Sequence, residues 1–143
     1  MELPQQATLF TKTDLVALAQ VLTWFDQFNH PAIPRSVWLQ CQLALAEGFT
    51  NAVRHAHQGQ PLDTLVEIEV KVLKQCLEIR IWDYGVGFDL EETLAKMPPI
   101  SDTTAEGGRG LKLMKHVADY LSYTPTVDGR NCLLIVKYYS DEL

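Results

Sequence analysis

Two runs of alternating apolar and polar residues constrain the fold of this chain more than any other feature. Residues 66–72 alternate valine and isoleucine with charged residues, and residues 77–82 repeat the alternation after Lys74 and Gln75. A period of two predicts a β-hairpin with one buried face. Because an apolar sheet face must be covered, and amphipathic helices lie on both sides in sequence, the pattern predicts an α+β fold.

The segment before the hairpin predicts two helices. Thr13 or Asp14 can cap a first helix that runs to about Phe28, where Asn29-His30-Pro31 ends it. The end of this helix is rich in aromatic residues. They either pack in the core or form a partner or dimer surface, since aromatic residues are enriched at interfaces.

The second predicted helix starts at Pro34 and ends at Gln58-Gly59-Gln60-Pro61. Its buried face has apolar residues at helical spacing: Cys41, Leu45, Phe49, Ala52, Val53 and Ala56. Glu47, Asn51 and His55 are spaced four apart and form a row on another face. A carboxylate, an amide and an imidazole are therefore aligned on a helix whose opposite side is buried.

The remaining segments complete a single compact domain. Residues 7–10 predict a short first strand, and residues 90–96 a short helix within the irregular segment 89–106. Glycines at 107–110 open a last amphipathic helix. A final hairpin follows, with strands near 122–127 and 132–139 joined at Asp128-Gly129, a strong turn signal. The apolar run 132–136 predicts a central strand.

Composition limits the classes of function. The 143 residues carry a net charge of −6, which argues against nucleic acid as the main partner. The three cysteines lie in apolar patterns without short spacing, as expected of buried thiols in a reducing compartment. No apolar run reaches the length of a membrane helix, and the N-terminus lacks signal-peptide features. These observations predict a cytoplasmic protein that does not contact a membrane.

Three short motifs are each ambiguous when taken alone. The Glu47/Asn51 pair could be a solvated helix face, and Asp83-x-Gly85-x-Gly87 could be a simple turn. The glycines around Arg109 could be a tight helix entry. They form neither a P-loop nor a dinucleotide fingerprint.

Taken together, the motifs supply what phosphoryl transfer needs. A glycine-rich helix start suits phosphates, and two glycines after a strand let a flat ring approach the backbone. The adjacent Asp83 can accept a hydrogen bond from an exocyclic amine. Asn51 offers an oxygen ligand for magnesium, and Glu47 can take a proton from a nucleophile.

The order of these motifs resembles the GHKL ATP-binding superfamily, and most closely the bacterial anti-sigma factor serine/threonine kinases within it. Three stretches carry the resemblance: 47–56 with Glu47-x-x-x-Asn51, 81–89 with Asp83-x-Gly85-x-Gly87, and 107–114 with Gly108-x-Gly110. The resemblance implies a two-layer α/β sandwich of the Bergerat type spanning residues 1–143. Its mixed, mainly antiparallel sheet would be covered on one face by about three helices.

The resemblance also implies roles for individual residues. Glu47 would be the catalytic base, Asn51 the Mg²⁺ ligand and Asp83 the partner of the adenine amine, and residues 89–106 would form an ATP lid. His55 would flank the nucleotide. The remaining expected ATP contacts are Gly85, Gly87, Gly108, Arg109, Gly110 and Leu111. The alternative that His55 and His57 bind zinc lacks further ligands at suitable spacing.

The implied function is an ATP- and Mg²⁺-dependent serine/threonine protein kinase that is also an anti-sigma factor. Its substrate would be a STAS-domain anti-sigma-factor antagonist in a partner-switching system, and its other partner a sigma factor. Family members of this kind are commonly homodimers. The alternative function is a regulatory module that binds ATP and sequesters a partner without transferring phosphate.

Overall fold

The computed structural model describes residues 2–97 and 109–139 of the chain. Five strands form one sheet in the order β1-β2-β3-β5-β4, and every pairing among the described residues is antiparallel. The strands are β1 (Gln5–Lys12), β2 (Leu65–Val72), β3 (Cys76–Asp83), β4 (Tyr120–Pro125) and β5 (Asn131–Tyr138). The predicted α+β class is confirmed, and β5 has the central position expected from its apolar run.

The described part of the chain also contains four α-helices: α1 (Leu18–Phe25), α2 (Arg35–Asn51), α3 (Leu90–Lys96) and α4 (Arg109–Val117). Helix α1 is shorter than predicted because a 3₁₀ turn precedes it and another follows it. The Asp14 side chain accepts a hydrogen bond from the backbone N–H of Val16, which caps the first of these turns. Asp89 caps α3 in the same way, through the N–H of Glu92.

The core lies between the helices and one face of the sheet. Ile79 at the centre of β3 pairs with Val70 on one side and Ile135 on the other, and all three are buried. The Phe25 ring stacks on Trp38 of α2 with 4.3 Å between centroids. Phe25 and Phe28 are buried. Of the two interpretations of this aromatic segment, the structure therefore supports core packing.

The register of β3 places a charged residue at the end of this apolar face. Side chains alternate along a strand, so Asp83 faces the same side as Ile79 and Ile81. Its cross-strand partner is Asn131 of β5, and Tyr123 of β4 pairs with Leu133, two residues further along β5. One end of the covered face is therefore polar and buried. The candidate functional site lies at this end.

Helix α2 does not continue to Gln58 as a regular α-helix. Residues Ala52–Ala56 form a π turn, in which the N–H of His57 donates to the carbonyl of Ala52 at 2.9 Å. Contacts to the segment after β3 accompany this wider turn. The backbone of Ala56 packs against Gly85, and the His57 ring bonds to the backbone of Tyr84. The π turn thus lies where α2 contacts the segment after β3. Single π turns of this kind are frequent at functional sites.

Two further sequence expectations concern the environment of the chain. Within the described ranges, no helix is both long and apolar enough to cross a membrane. All three cysteines are free thiols, and Cys41 and Cys76 are buried. Burial raises the pKa of Cys41 to about 12, so this thiol is inert and packs as a small apolar residue.

Candidate functional site

A cavity of about 270 Å³ lies between α2 and the polar end of the sheet. Its walls come from α2 and the turn that follows it, from β3, β4 and β5, and from α3 and α4. The lining residues are Gly48, Asn51, Ala52, His55, Ala56, Ile81, Asp83, Phe88, Thr93, Met97, Leu111, Tyr123 and Leu133. Most of this surface is apolar, with a few polar groups directed into it, which is the composition of a small-molecule site.

Asp83 is the buried charge of the cavity, with 4% of its surface exposed. Its Oδ1 accepts hydrogen bonds from the N–H of Gly85 at 2.8 Å and from Nδ2 of Asn131 at 3.1 Å. Its Oδ2 accepts from the hydroxyl of Tyr123 at 2.8 Å. A buried carboxylate needs such donors, because an unpaired charge in the interior is costly.

Gly85 and Gly87 shape the turn that follows Asp83. A β-carbon on Gly85 would lie 2.7 Å from the carbonyl oxygen of Ala56, so the turn packs directly on the backbone of the π turn. Gly87 has a φ of +80°, and a β-carbon there would lie 2.8 Å from Oδ1 of Asn131. Close contacts within the protein therefore require glycine at both positions, whether or not a ligand also approaches the turn.

His57 attaches the end of the π turn to the same segment. Its Nε2 accepts a hydrogen bond from the N–H of Tyr84 at 2.8 Å, and its side chain is buried. Burial lowers the pKa of His57, and the nearby Asp83 carboxylate partly opposes this effect. The ring is thus held neutral with the proton on Nδ1, since Nε2 is the acceptor.

Two aromatic residues, Phe88 and Tyr123, line part of the pocket. The rings of Phe88 and Tyr123 lie 4.6 Å apart between centroids with a tilt of 31°. Phe88 is partly exposed and lines the cavity with Met97, which precedes the part of the chain outside the described residues. Ile81, Leu133 and Tyr123 form one row across the sheet, so a flat aromatic ligand in the cavity would lie against this row.

The start of α4 lies against Glu47. A β-carbon on Gly110 would be 2.5 Å from Oε2 of Glu47, so the carboxylate reaches the first turn of α4. The N-terminus of a helix carries free N–H groups and a partial positive charge. Arg109 at this position is exposed, and Lys112 donates to the carbonyl of Met97 at 3.2 Å. This end of the site is therefore suited to an anionic group.

The structure brings together most of the residues predicted for the site. Four of them line the cavity: Asn51, His55, Asp83 and Leu111. Gly85 and Gly87 form the turn beside it. Glu47 lies against Gly110 at the start of α4, where Arg109 is exposed. The expected contact at Gly108 lies outside the described residues, as do residues 98–106 of the expected lid.

Zinc binding by the two neighbouring histidines has no support in the described part of the chain. His55 is exposed, whereas His57 is buried with Nε2 already bonded to Tyr84. Among residues 2–97 and 109–139, no group of three His, Cys, Asp or Glu side chains converges on one point. Asn51 remains the side chain that offers the cavity an amide oxygen.

Sequence reasoning missed Tyr123 and Asn131, the two side chains that hold Asp83. Both lie in the last hairpin, about 40 and 48 positions after Asp83, and meet it only through strand pairing. Phe88 was also missed, although it directly follows the Gly87 turn. A possible signal was an asparagine at the start of an otherwise apolar strand, where a buried polar group needs a partner.

Comparison with known proteins agrees with this geometry. Residues 11–137 match the family of histidine kinase-like ATPase domains. The chain is similar to proteins named serine-protein kinase RsbW from Bacillus licheniformis and from two Staphylococcus aureus strains, RF122 and MRSA252. Each is 34% identical over 83 residues, 54% of this chain, and the match spans about half (52%) of the relative's own length. Because the family match covers far more than half of the chain, including α1 to α4 and the sheet except most of β1, the chain belongs to the histidine kinase-like ATPase domain family.

Proposed function

We propose that this chain binds ATP in the cavity and transfers its γ-phosphoryl group to a serine or threonine of a partner protein. The observation that carries the proposal is the contact between Glu47 and the first turn of α4 beside the Asp83 pocket. The proposed site therefore contains a general base, Glu47, and a helix start that can bind an anion. It also contains a buried hydrogen-bond acceptor, Asp83, for the exocyclic amine of a nucleobase. The name of the similar relatives, serine-protein kinase, supports the same activity.

The adenine would lie at the Asp83 end of the cavity. Its exocyclic amine can donate to the carboxylate, while the apolar walls contact its two faces. The phosphates would extend along α2 toward the start of α4, where the helix dipole and Arg109 favour negative charge. Asp83 and Glu47 therefore mark the two ends of the proposed nucleotide site.

Magnesium is the metal that fits the donor set. Asn51 supplies an amide oxygen to the cavity, and the described residues supply no cage of three or more ligands. Mg²⁺ is commonly held by one or two protein oxygens together with phosphates and water. Asn51 would hold the ion, which when bound neutralises phosphate charge.

Glu47 would serve as the base. Its carboxylate accepts the proton of the serine or threonine hydroxyl as that oxygen forms a bond to the γ-phosphorus. The bond between the γ-phosphorus and the bridging oxygen breaks, and ADP leaves. Asn51, one turn further along α2, would keep the nucleotide in line with the attacking hydroxyl.

We infer that the phosphoryl acceptor is an anti-sigma-factor antagonist with a STAS domain, and that the chain also sequesters a sigma factor. This inference rests on the likeness to the serine-protein kinase RsbW proteins and on the order of the motifs. A homodimer and a cytoplasmic location complete the proposal. The second candidate is an ATP-dependent capture module that uses the same pocket without phosphoryl transfer.

Incubation of the purified chain with γ-labelled ATP, Mg²⁺ and a purified STAS-domain antagonist tests the proposal. We expect labelled phosphoserine or phosphothreonine with the wild type, none with Glu47→Gln, and unchanged ATP affinity in that variant. Asp83→Asn should instead weaken ATP binding by tenfold or more. Stable ATP-dependent capture without any label would favour the second candidate, and unaltered ATP affinity in Asp83→Asn would contradict the site assignment.

A further inference from the structure

The hydrogen bonds to Asp83 leave its carboxylate with one free acceptor position. A carboxylate has about four lone-pair sites, two on each oxygen. Both sites on Oδ1 are used, by the N–H of Gly85 and by Nδ2 of Asn131, whereas among residues 2–97 and 109–139 Oδ2 has a single donor, the Tyr123 hydroxyl. One acceptor site on Oδ2 therefore remains for a ligand.

The two side-chain donors are themselves fixed. Nδ2 of Asn131 also donates to the carbonyl of Gly85 at 2.9 Å, and 6% of the Asn131 surface is exposed. The Tyr123 ring packs against Phe88. Burial and the hydrogen bond to Asp83 raise the pKa of Tyr123, so its hydroxyl keeps the proton that it donates. The carboxylate is thus held in one orientation.

We propose that Tyr123 and Asn131 determine the base specificity of the site, by making Asp83 a single acceptor that selects adenine over guanine. The inference rests on the nucleotide site proposed above. Adenine presents one exocyclic amine at its six position, which a single acceptor satisfies. Guanine presents a carbonyl there, and its two adjacent donors, N1–H and the 2-amino group, match both oxygens of a free carboxylate.

Because Oδ1 is occupied, guanine cannot make the two-point contact with the Asp83 carboxylate. A two-point contact needs one free acceptor on each oxygen, and Gly85 with Asn131 leaves none on Oδ1. The donor on Oδ2 further restricts the carboxylate to the remaining direction. A guanine in this pocket would leave one buried donor unpaired, which is the usual source of strong discrimination between similar ligands.

The variant Asn131→Ala tests this proposal, because it frees one acceptor site on Oδ1, which the two-point contact with guanine requires. The control is Tyr120→Phe on strand β4, whose side chain is exposed. Dissociation constants for ATP, GTP, ADP and GDP are measured by calorimetry, with thermal unfolding as a check of folding. We expect the ratio of GTP to ATP dissociation constants to fall at least tenfold in Asn131→Ala and to stay at the wild-type value in Tyr120→Phe.

A second variant, Tyr123→Phe, removes the donor to Oδ2 and keeps the ring against Phe88, and its combination with Asn131→Ala should show the largest loss of discrimination. An unchanged ratio in folded Asn131→Ala and in the double variant would overturn the proposal. Because the readout is binding, it is independent of phosphoryl transfer: a wild type that binds ATP but transfers nothing still tests it. A wild type that binds no nucleotide, or binds ATP and GTP equally, would also overturn it.

Discussion

The carboxylate of Glu47 in α2 fills the space that a β-carbon on Gly110 of α4 would need. Oε2 lies 2.5 Å from that position, well inside van der Waals contact. The contact joins the proposed base to the proposed phosphate-binding turn, although 63 positions separate the two residues in sequence. Because the atom in contact is the end of a flexible side chain, a small residue at 110 would move Glu47 rather than the backbone.

Gly110→Ala should therefore impair phosphoryl transfer without harming the fold. The new methyl group displaces the Glu47 carboxylate, and loss of a positioned base costs about a hundredfold or more in rate. Alanine in a helix is more favourable than glycine by up to about 1 kcal/mol, so stability should hold or rise. Single-turnover transfer rates and urea unfolding measure the two effects. A stable variant with the wild-type rate would contradict the role of Glu47.

Gly87→Ala should reduce nucleotide affinity, whereas Gly59→Ala should not. The two glycines have nearly equal φ angles, +80° and +82°, so the backbone strain of a side chain is matched at about 1–2 kcal/mol. At Gly87 the methyl group would also meet Oδ1 of Asn131, while nothing lies within 4 Å of the corresponding position at Gly59. Calorimetric titration with ATP compares the pair. Equal losses of affinity would show that the Asn131 contact is irrelevant to binding.

Gly48→Ala should destabilise the protein. Its β-carbon would lie 2.6 Å from Cδ1 of Ile81 and 3.2 Å from Cδ2 of Leu133, and both side chains are buried. Overpacking of this kind costs about 1–3 kcal/mol, against a gain of about 1 kcal/mol from helix propensity. The free energy of unfolding from urea titration should fall by up to about 2 kcal/mol. A rise in that quantity would mean that the helix can move away from the sheet.

Stability should decrease as the pH falls through the ordinary range of histidine titration. Burial lowers the pKa of His57 in the folded protein, whereas in the unfolded chain it takes up a proton near pH 6.5. The unfolded state therefore binds more protons below about pH 6.5, so this contribution is fully present above that pH and is lost below it.

The measurement for His57 is urea unfolding at about pH 7.5 and about pH 5.5. His57→Gln should lose less stability between the two than the wild type, because glutamine can accept the Tyr84 N–H bond without titrating. The control is His55→Gln, which changes an exposed imidazole. A wild-type pH dependence in His57→Gln would assign the effect to other groups.

Periodicity in the sequence was sufficient to predict most of the fold. The hairpin of β2 and β3 and the central position of β5 match the structure, since each depends on a local apolar pattern. The short helix over 90–96 also matches, although it was expected only as an interruption of a long irregular segment. The π turn at Ala52–Ala56 was not predicted. Its contacts with Gly85 and Tyr84 join segments that are far apart in sequence, and no local pattern encodes them.

The residues of the candidate site also fall into two groups, those that a local sequence motif predicts and those that it does not. Asp83 and Asn51 were predicted because each belongs to a short motif whose spacing is visible in the sequence. Tyr123 and Asn131 were not, because each reaches Asp83 through the register of strands β4 and β5. A shift of one residue in that register would turn both side chains to the opposite face. Their role thus depends on pairing that only the three-dimensional structure supplies.

The strand order has a consequence for when, during its synthesis, the protein becomes able to bind a nucleotide. Strand β5 follows all the others in sequence but lies between β3 and β4. Until about residue 138 has left the ribosome, β3 lacks its second neighbour, and Asp83 lacks both of its side-chain donors. Such long-range pairing is slow to form. A nascent chain should therefore acquire nucleotide binding in a single late step, when the last hairpin closes.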